Sequence, residues 1–289
     1  MRRPDDDCHS LLPTQARHGV ADLHHPHGRR AAAAFPSVWT VSTSLKIAEK
    51  VTLTAIELIP DPVAWWNYPE LFQRHPIPAY FLNTLKILIP ALLGGIVTCS
   101  LAGFAFARIR FPGRDVIFVI VLSTMMLPYV VRLIPLYIMF DQAGMINTFW
   151  PLIIPRVLGH DAFYIFLYRQ FFRGIPEDLF DAARVDGSSE LGIWGRIVLP
   201  LSKPVLATVG IFSFQYAWND FLFPLIYLGA KKINWTMALG LYGMRSLEGE
   251  MLWQQLMAYA VIMIIPVLLV FAWGQRHIVE GTTMTGIRA

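Results

Sequence analysis

The sequence predicts an all-α polytopic membrane protein, and three observations carry that prediction. Of 289 residues, 55% are hydrophobic and only 15% charged, and the mean hydropathy of +0.48 is too high for an ordinary water-soluble domain. Five apolar runs, at about 80–106, 116–140, 150–172, 205–228 and 256–273, each reach the roughly 20 residues that a membrane-crossing helix needs. Residues 174–204 form a polar island between the third and fourth runs, which reads as a surface outside the bilayer.

In chain order, residues 1–35 read as a disordered polar tail, because Arg, His, Asp and Pro dominate it and only Ala31 to Phe35 are continuously apolar. Its apolar part is too short for a secretory leader. His9, His18, His24, His25 and His27 lie there without a scaffold, so no metal site is expected. Residues 36–79 are expected to be an external segment, and 80–289 the transmembrane part.

The runs from 80 onward have interfacial aromatics near their ends, among them Tyr80, Trp150, Tyr227 and Trp273. Arg108, Arg110 and Arg114 flank the first junction, Arg169, Arg173, Arg184, Arg196 and Lys203 surround the polar island, and Arg276 and Arg288 follow the last run. Residues 141–149 carry no Lys or Arg. The positive-inside rule therefore makes the island, the 108–114 turn and the C-terminus cytoplasmic, against the minority of Lys231, Lys232 and Arg245. Pro90, Pro128, Pro135, Pro155, Pro224 and Pro266 predict kinked helices.

Within the island, Pro176, Glu177 and Asp178 suit a helix start, and Ala182 and Ala183 suit its continuation to Arg184. Gly187 supplies a left-handed stop. Ser188 or Ser189 can cap a second helix through Ile193, Trp194 and Ile197, which ends before Pro200 and Pro204. Small Ala side chains let a partner approach closely, and an acidic residue can pair with a basic group of that partner.

The residues Asp181, Ala182, Ala183, Asp186, Gly187, Ile197, Leu199 and Pro200 resemble the cytoplasmic loop of permease subunits of binding-protein-dependent ABC importers. Asp181 stands where that family has Glu, and Ser188 where it has Ala. Pro36, Trp39, Ser44, Leu45 and Lys46 are similar to the signature that follows the family's first span. The family expects six spans, so the first is absent or degraded here, and a misassigned start is the favoured reason. Segment 217–225 and the tail 275–286 resemble the carbohydrate-uptake, maltose- or glycerol-3-phosphate-like, subfamily, so the likeness runs from Pro36 onward.

The resemblance implies the ABC importer permease fold, in the inner membrane of a bacterium or archaeon, with the loop at 177–200 as a coupling helix seated on an ATPase. The implied partners are a homologous second permease, two copies of the ATPase and an extracytoplasmic solute-binding protein. ATP and Mg²⁺ would be bound by those partners, and no cofactor by this chain. The implied coupling residues are Asp181, Ala182, Ala183, Asp186, Gly187, Leu199 and Pro200, and the implied cargo is a sugar, an oligosaccharide or a sugar-like glycerol phosphate ester.

Asn219 and Asp220 fall at membrane depth, where polar groups are costly; Asp220 either lines a path or braces neighbouring helices. Tyr129, Tyr216, Trp218 and Asn219 suit sugar contact by stacking and hydrogen bonding, with helix packing the alternative for each. For Lys86, Arg132 and Arg156, snorkelling or a structural pair is favoured over a gate. Cys8 and Cys99 give no disulfide framework. No dense basic stripe supports nucleic-acid binding, and no phosphate loop, zinc-protease or serine-hydrolase motif occurs, so ATP hydrolysis by this chain is excluded. The rivals are a permease for a peptide, amino acid or metal, an ion-coupled secondary transporter using Asp220, and a membrane-embedded enzyme, which lacks a convergent constellation.

Overall fold

A computed structural model describes residues 26–51, 57–246 and 252–285, which are helical with no strand among them. The chain forms two compact units, Met1–His75 with Glu248–Ile262, and Pro76–Leu247 with Met263–Ala289.

In the first unit, α1 (Pro26–Ser44) is followed by the short helices α2 (Ala48–Val51) and α3 (Asn67–Arg74). The run Ala31 to Ala34 has the best helix propensity available, so α1 begins inside the segment expected to be an unstructured tail; residues 1–25 of that tail, with four of its histidines, lie outside the described residues. The 36–46 signature folds into a knot of its own. Asn67 donates through Nδ2 to the carbonyls of Ser44 and Lys46, both at 2.9 Å, and the buried Lys46 ammonium lies 4.4 Å from the Trp39 ring centre. Such a knot satisfies chain ends that would otherwise be buried unpaired.

The second unit begins with α4 (Ile77–Arg108), then α5 (Arg114–Ser123), α6 (Tyr129–Gln142), α7 (Trp150–Val157) and α8 (Ala162–Arg173). The polar island follows as α9 (Asp178–Val185), α10 (Glu190–Ile193), a π turn at Trp194–Val198 and α11 (Leu199–Leu201). After it come α12 (Lys203–Asn219), α13 (Leu222–Leu228) and α14 (Met237–Ser246), and α15 (Trp253–Thr285) starts in the first unit and ends in the second.

Of the five expected runs, two are single helices long and apolar enough to cross a membrane, Ile77–Arg108 and Trp253–Gln275. Two sharply bent pairs, Arg114–Met126 with Val130–Gln142 and Glu190–Leu201 with Lys203–Asn219, pass the same test when each pair is taken together. The run at 150–172 is split at 158–161, where Gly159 sits at φ 74° and the Gly159 and His160 amides donate back to the Arg156 and Pro155 carbonyls, a left-handed helix stop. The run at 205–228 is split at Asp220, because Pro224 has no N–H for the carbonyl four residues back and its ring collides with that carbonyl in a continuous helix.

Helix α4 is the spine of the second unit. Gly95, Cys99 and Gly103 recur every fourth residue and form a stripe along which α7 and α8 approach closely: a Cβ at Gly95 would sit 3.4 Å from the Arg156 carbonyl, and one at Gly103 only 2.5 Å from Tyr168 Cβ. Small residues at this spacing supply the close van der Waals contact that drives helix association where lipid offers no hydrophobic advantage. Asn83 and Thr84, near the start of α4, hold the 232–237 segment by hydrogen bonds to the Ile233 and Trp235 carbonyls and from the Met237 amide. Gly103→Ala is expected to cost about 1–3 kcal/mol through overpacking. Gly195→Ala, where an added Cβ meets nothing within 4 Å, is the matched control, and thermal melting of the two purified variants checks the difference.

Candidate functional site

Two places on the second unit concentrate polar chemistry, the loop around Gly187 and the helix break at Asp220.

The loop is rooted in the protein core. Phe180, Ala183, Ile193 and Val198 are buried with Phe104, Tyr168 and Phe172 of α4 and α8. Arg108, the last residue of α4, donates to the Phe172 carbonyl at 2.6 and 3.1 Å and also to the Ile175 carbonyl, so it satisfies the orphan acceptors at the end of α8. Its guanidinium also lies 4.3 Å from the Phe180 ring centre.

On the opposite side of the loop the surface is open. Gly187 turns at φ 79° with nothing within 4 Å of where a Cβ would stand, its amide and that of Ser188 return to the Arg184 and Ala183 carbonyls, and the Ser189 hydroxyl caps α10 by accepting from the Gly192 amide at 3.2 Å. Arg184 bridges the two short helices, 3.1 Å from Asp181 and 3.0 Å from Glu190, and the bond to Glu190 leads the effects that raise its pKa further. Leu179, Val185 and Leu191 are exposed on this loop, Val185 at 87%, although nothing in the described chain covers them. Among the residues expected to couple, Asp181, Ala182, Asp186, Gly187 and Pro200 are exposed, Leu199 is half-buried, and Ala183 faces the core at 6% exposure. A helix can show a partner only one face, and Ala183 lies on the other with Phe180.

At the second place α12 ends, and the chain bends at Asp220 before α13 begins. Asp220 accepts from the Phe223 amide at 3.3 Å, capping α13, and pairs through Oδ2 with Arg156 Nη2 at 2.8 Å, with the side chains 9% and 12% exposed. The Arg156 guanidinium also stacks 4.7 Å from the Tyr216 ring centre. Of the two open readings for Asp220, the brace between helices is the one with visible partners.

Asp220 borders an open cleft of about 840 Å³, with Phe163, Phe212, Gln215, Tyr216, Asn219 and Phe223 among its walls. A second cleft of about 410 Å³ shares Phe163, Tyr216 and Phe223 and adds Arg132, His160 and Asp161. Phe212, Gln215, Tyr216 and Asn219 are spaced i, i+3, i+4, i+7 and so form one face of α12. Aromatic rings beside amides offer stacking and hydrogen bonding together. Trp218 is elsewhere: it is 1% exposed, stacks on Phe214 and donates to the Met263 carbonyl at 3.1 Å. Tyr129 opens α6 after the Pro128 break, and its side chain lies outside the described residues. Sequence reasoning does not reach Gln215, Phe163, His160 or Asp161; for the last three the available signal is Pro155 with Gly159, which predicts the break beside them. No cluster of metal-ligating residues occurs among the described residues.

The family described as binding-protein-dependent transport system inner membrane component matches residues 81–283. The arabinooligosaccharides transport system permease protein AraQ of Bacillus subtilis is 32% identical over 257 residues, 88% of this chain and 90% of its own. The sn-glycerol-3-phosphate transport system permease protein UgpE of Pectobacterium atrosepticum is 31% identical over 243 residues, 81% of this chain and 84% of its own. A chain from the crystal structure of a bacterial ABC transporter involved in the import of the acidic polysaccharide alginate superposes with a TM-score of 0.77 over 96% of this chain and 98% of that one, at 21% identity, a likeness of fold.

Asp220→Ala is expected to cost about 3–5 kcal/mol, because it strands a buried guanidinium. Replacing both partners with apolar residues, Arg156→Met with Asp220→Leu, is expected to recover most of that loss. Thermal melting of the wild type, the Asp220→Ala variant and the double variant checks both expectations.

Proposed function

This chain belongs to the family of binding-protein-dependent transport system inner membrane components, the permeases of ABC importers, and from that premise we propose that it forms half of a carbohydrate pore driven by separate ATPase subunits. The observation that carries the proposal is the loop at 177–200: apolar Leu179, Val185 and Leu191 stand exposed on a module whose other face is buried in the core. A surface that is rigid behind and apolar in front suits a protein partner, since lone apolar side chains are common but a braced, clustered set marks an interaction site.

In this reading Asp181, Ala182, Asp186, Gly187, Leu199 and Pro200 meet a cytoplasmic ATPase, and Ala183 supports them from behind. Five crossings follow if the bent pair at 114–142, the split 150–172 run and the split 205–228 run each count as one, with the loop and the C-terminus cytoplasmic. ATP and Mg²⁺ belong to the ATPase pair, whose closure moves the loop as a rigid body. The motion enters the membrane through α12, which leaves the loop at a bend of 83° between Glu190–Leu201 and Lys203–Asn219. A homologous second permease closes the open cleft, and an extracytoplasmic binding protein delivers the solute.

The cargo class is a sugar, an oligosaccharide or a glycerol phosphate ester, as the names of the relatives have it for those proteins. Tyr216, Gln215 and Asn219 are the side chains placed to meet it, with Phe163 and Phe212 as stacking surfaces. An ion-coupled transporter needs a carboxylate free to bind and release its ion, and Asp220 is already engaged by Arg156 and by the α13 amide. A permease for a non-sugar solute would keep the loop and differ in the cleft.

The test is a cysteine crosslink from Ala182→Cys to the ATPase encoded beside this chain, in membranes, with Cys8 and Cys99 replaced. A crosslink whose yield changes with ATP is expected. No crosslink from a normally inserted protein would refute the coupling assignment.

A further inference from the structure

Helix α12 has a second face, opposite the cleft. Lys203, Leu206, Ala207, Gly210, Ile211 and Phe214 recur at helical spacing about half a turn away from Phe212, Tyr216 and Asn219. This face lines a separate groove of about 510 Å³, closed on its sides by Leu92 and Ile96 of α4 and by Val270 and Trp273 of α15. The helices α12 and α15 touch at one end of it, where a Cβ on Gly274 would run into the Ile211 side chain. At Gly210 a Cβ would meet nothing within 4 Å, so the glycine is part of the groove floor and not a packing contact.

Among the residues lining the groove, Lys203 is the one with a charge, and it stands where α12 leaves the polar loop. From Lys203 to Phe214 the helix rises about 16 Å, the reach of an acyl chain of ordinary length. The adjoining surface of α15 continues the apolar wall, with Leu268, Leu269, Phe271 and Trp273 all more than half exposed. An apolar slot with a cation at its interfacial end is complementary to a lipid with an anionic headgroup.

We propose that the groove between α4, α12 and α15 holds an acyl chain of an anionic phospholipid from the loop-side leaflet, with its phosphate at the Lys203 ammonium. The lipid then lies against the helix that joins the polar loop to the cleft, so its departure frees the back of α12. Occupancy therefore biases how readily α12 moves. The inference requires only that α12 lies in the bilayer, and it stands whatever solute the cleft accepts.

Native mass spectrometry of the purified full-length chain, exchanged into phosphatidylglycerol or phosphatidylcholine, tests it. The wild type is expected to retain one phosphatidylglycerol with a preference of about fivefold over phosphatidylcholine, the size one lysine at a charged interface supports. Lys203→Gln is expected to abolish the preference while one lipid is still retained. Gly210→Phe, whose Cβ would meet nothing within 4 Å and whose ring would occupy the groove, is expected to remove both lipids with a melting temperature close to that of the wild type. Equal retention of the two lipids by the wild type, or undiminished phosphatidylglycerol on Gly210→Phe, overturns the proposal. Loss of the lipid when the second permease subunit binds would also overturn it, because the groove would then be a subunit contact.

Discussion

The ion pair between Arg156 and Asp220 is the interaction on which the cleft depends. It joins the end of α7 to the point where α12 stops, two places at which the backbone abandons regular helix. In a hydrocarbon environment, unpaired amides and carbonyls are tolerated only where protein or a water-filled cavity receives them. The Asp220 carboxylate receives one such amide, that of Phe223, and the Arg156 guanidinium offsets its charge. A carboxylate fixed in this way also holds α12 at a set angle to α13. Tyr216 is positioned by the same guanidinium, so the cleft's most prominent aromatic surface is tied to the pair as well.

The second dependence is mechanical and runs from the loop inward. Arg108 fastens the loop to α4, the small-residue stripe of α4 fastens α7 and α8, and α7 carries Arg156. The loop's other exit is α12, reached through the buried Ser202, whose hydroxyl donates to the Val198 carbonyl at 2.6 Å. The loop and the cleft are thus connected twice, once through the α4 spine and once directly through α12. A displacement applied at the loop has a route to the Asp220 break that passes only through packed or hydrogen-bonded groups.

Much of this was legible in the sequence, and the reasons are specific. Gly187 and Ser189 have the uses the sequence assigns them in a helix–turn–helix, a left-handed turn and a cap, whereas Pro176 stands just outside the helix, which starts at Asp178 after a Glu177 N-cap. The apolar runs at 80–106 and 256–273 lie in uninterrupted helices that pass through their internal prolines, Pro90 and Pro266. Hydropathy averages over a break, so the runs at 150–172 and 205–228 look continuous in sequence, although Gly159 after Pro155, and Pro224 four residues after Asp220, mark both breaks chemically. The partner of Asp220 was not legible. Arg156 is 64 residues away, and only the tertiary fold brings the two together. The buried side of Ala183 follows from helix phase, which needed Phe180 to be recognised as the core-facing residue.

The central claim is that α12 transmits an ATP-dependent motion to the cleft. It is tested most directly by the accessibility of Gln215→Cys, which lies exposed on the cleft face, in the assembled transporter with Cys8 and Cys99 replaced. Membrane-impermeant thiol reagents would be applied from each side of sealed vesicles, with and without ATP. The account predicts labelling from the loop side without nucleotide and from the opposite side when ATP is held bound. Labelling that is independent of ATP on both sides would contradict it.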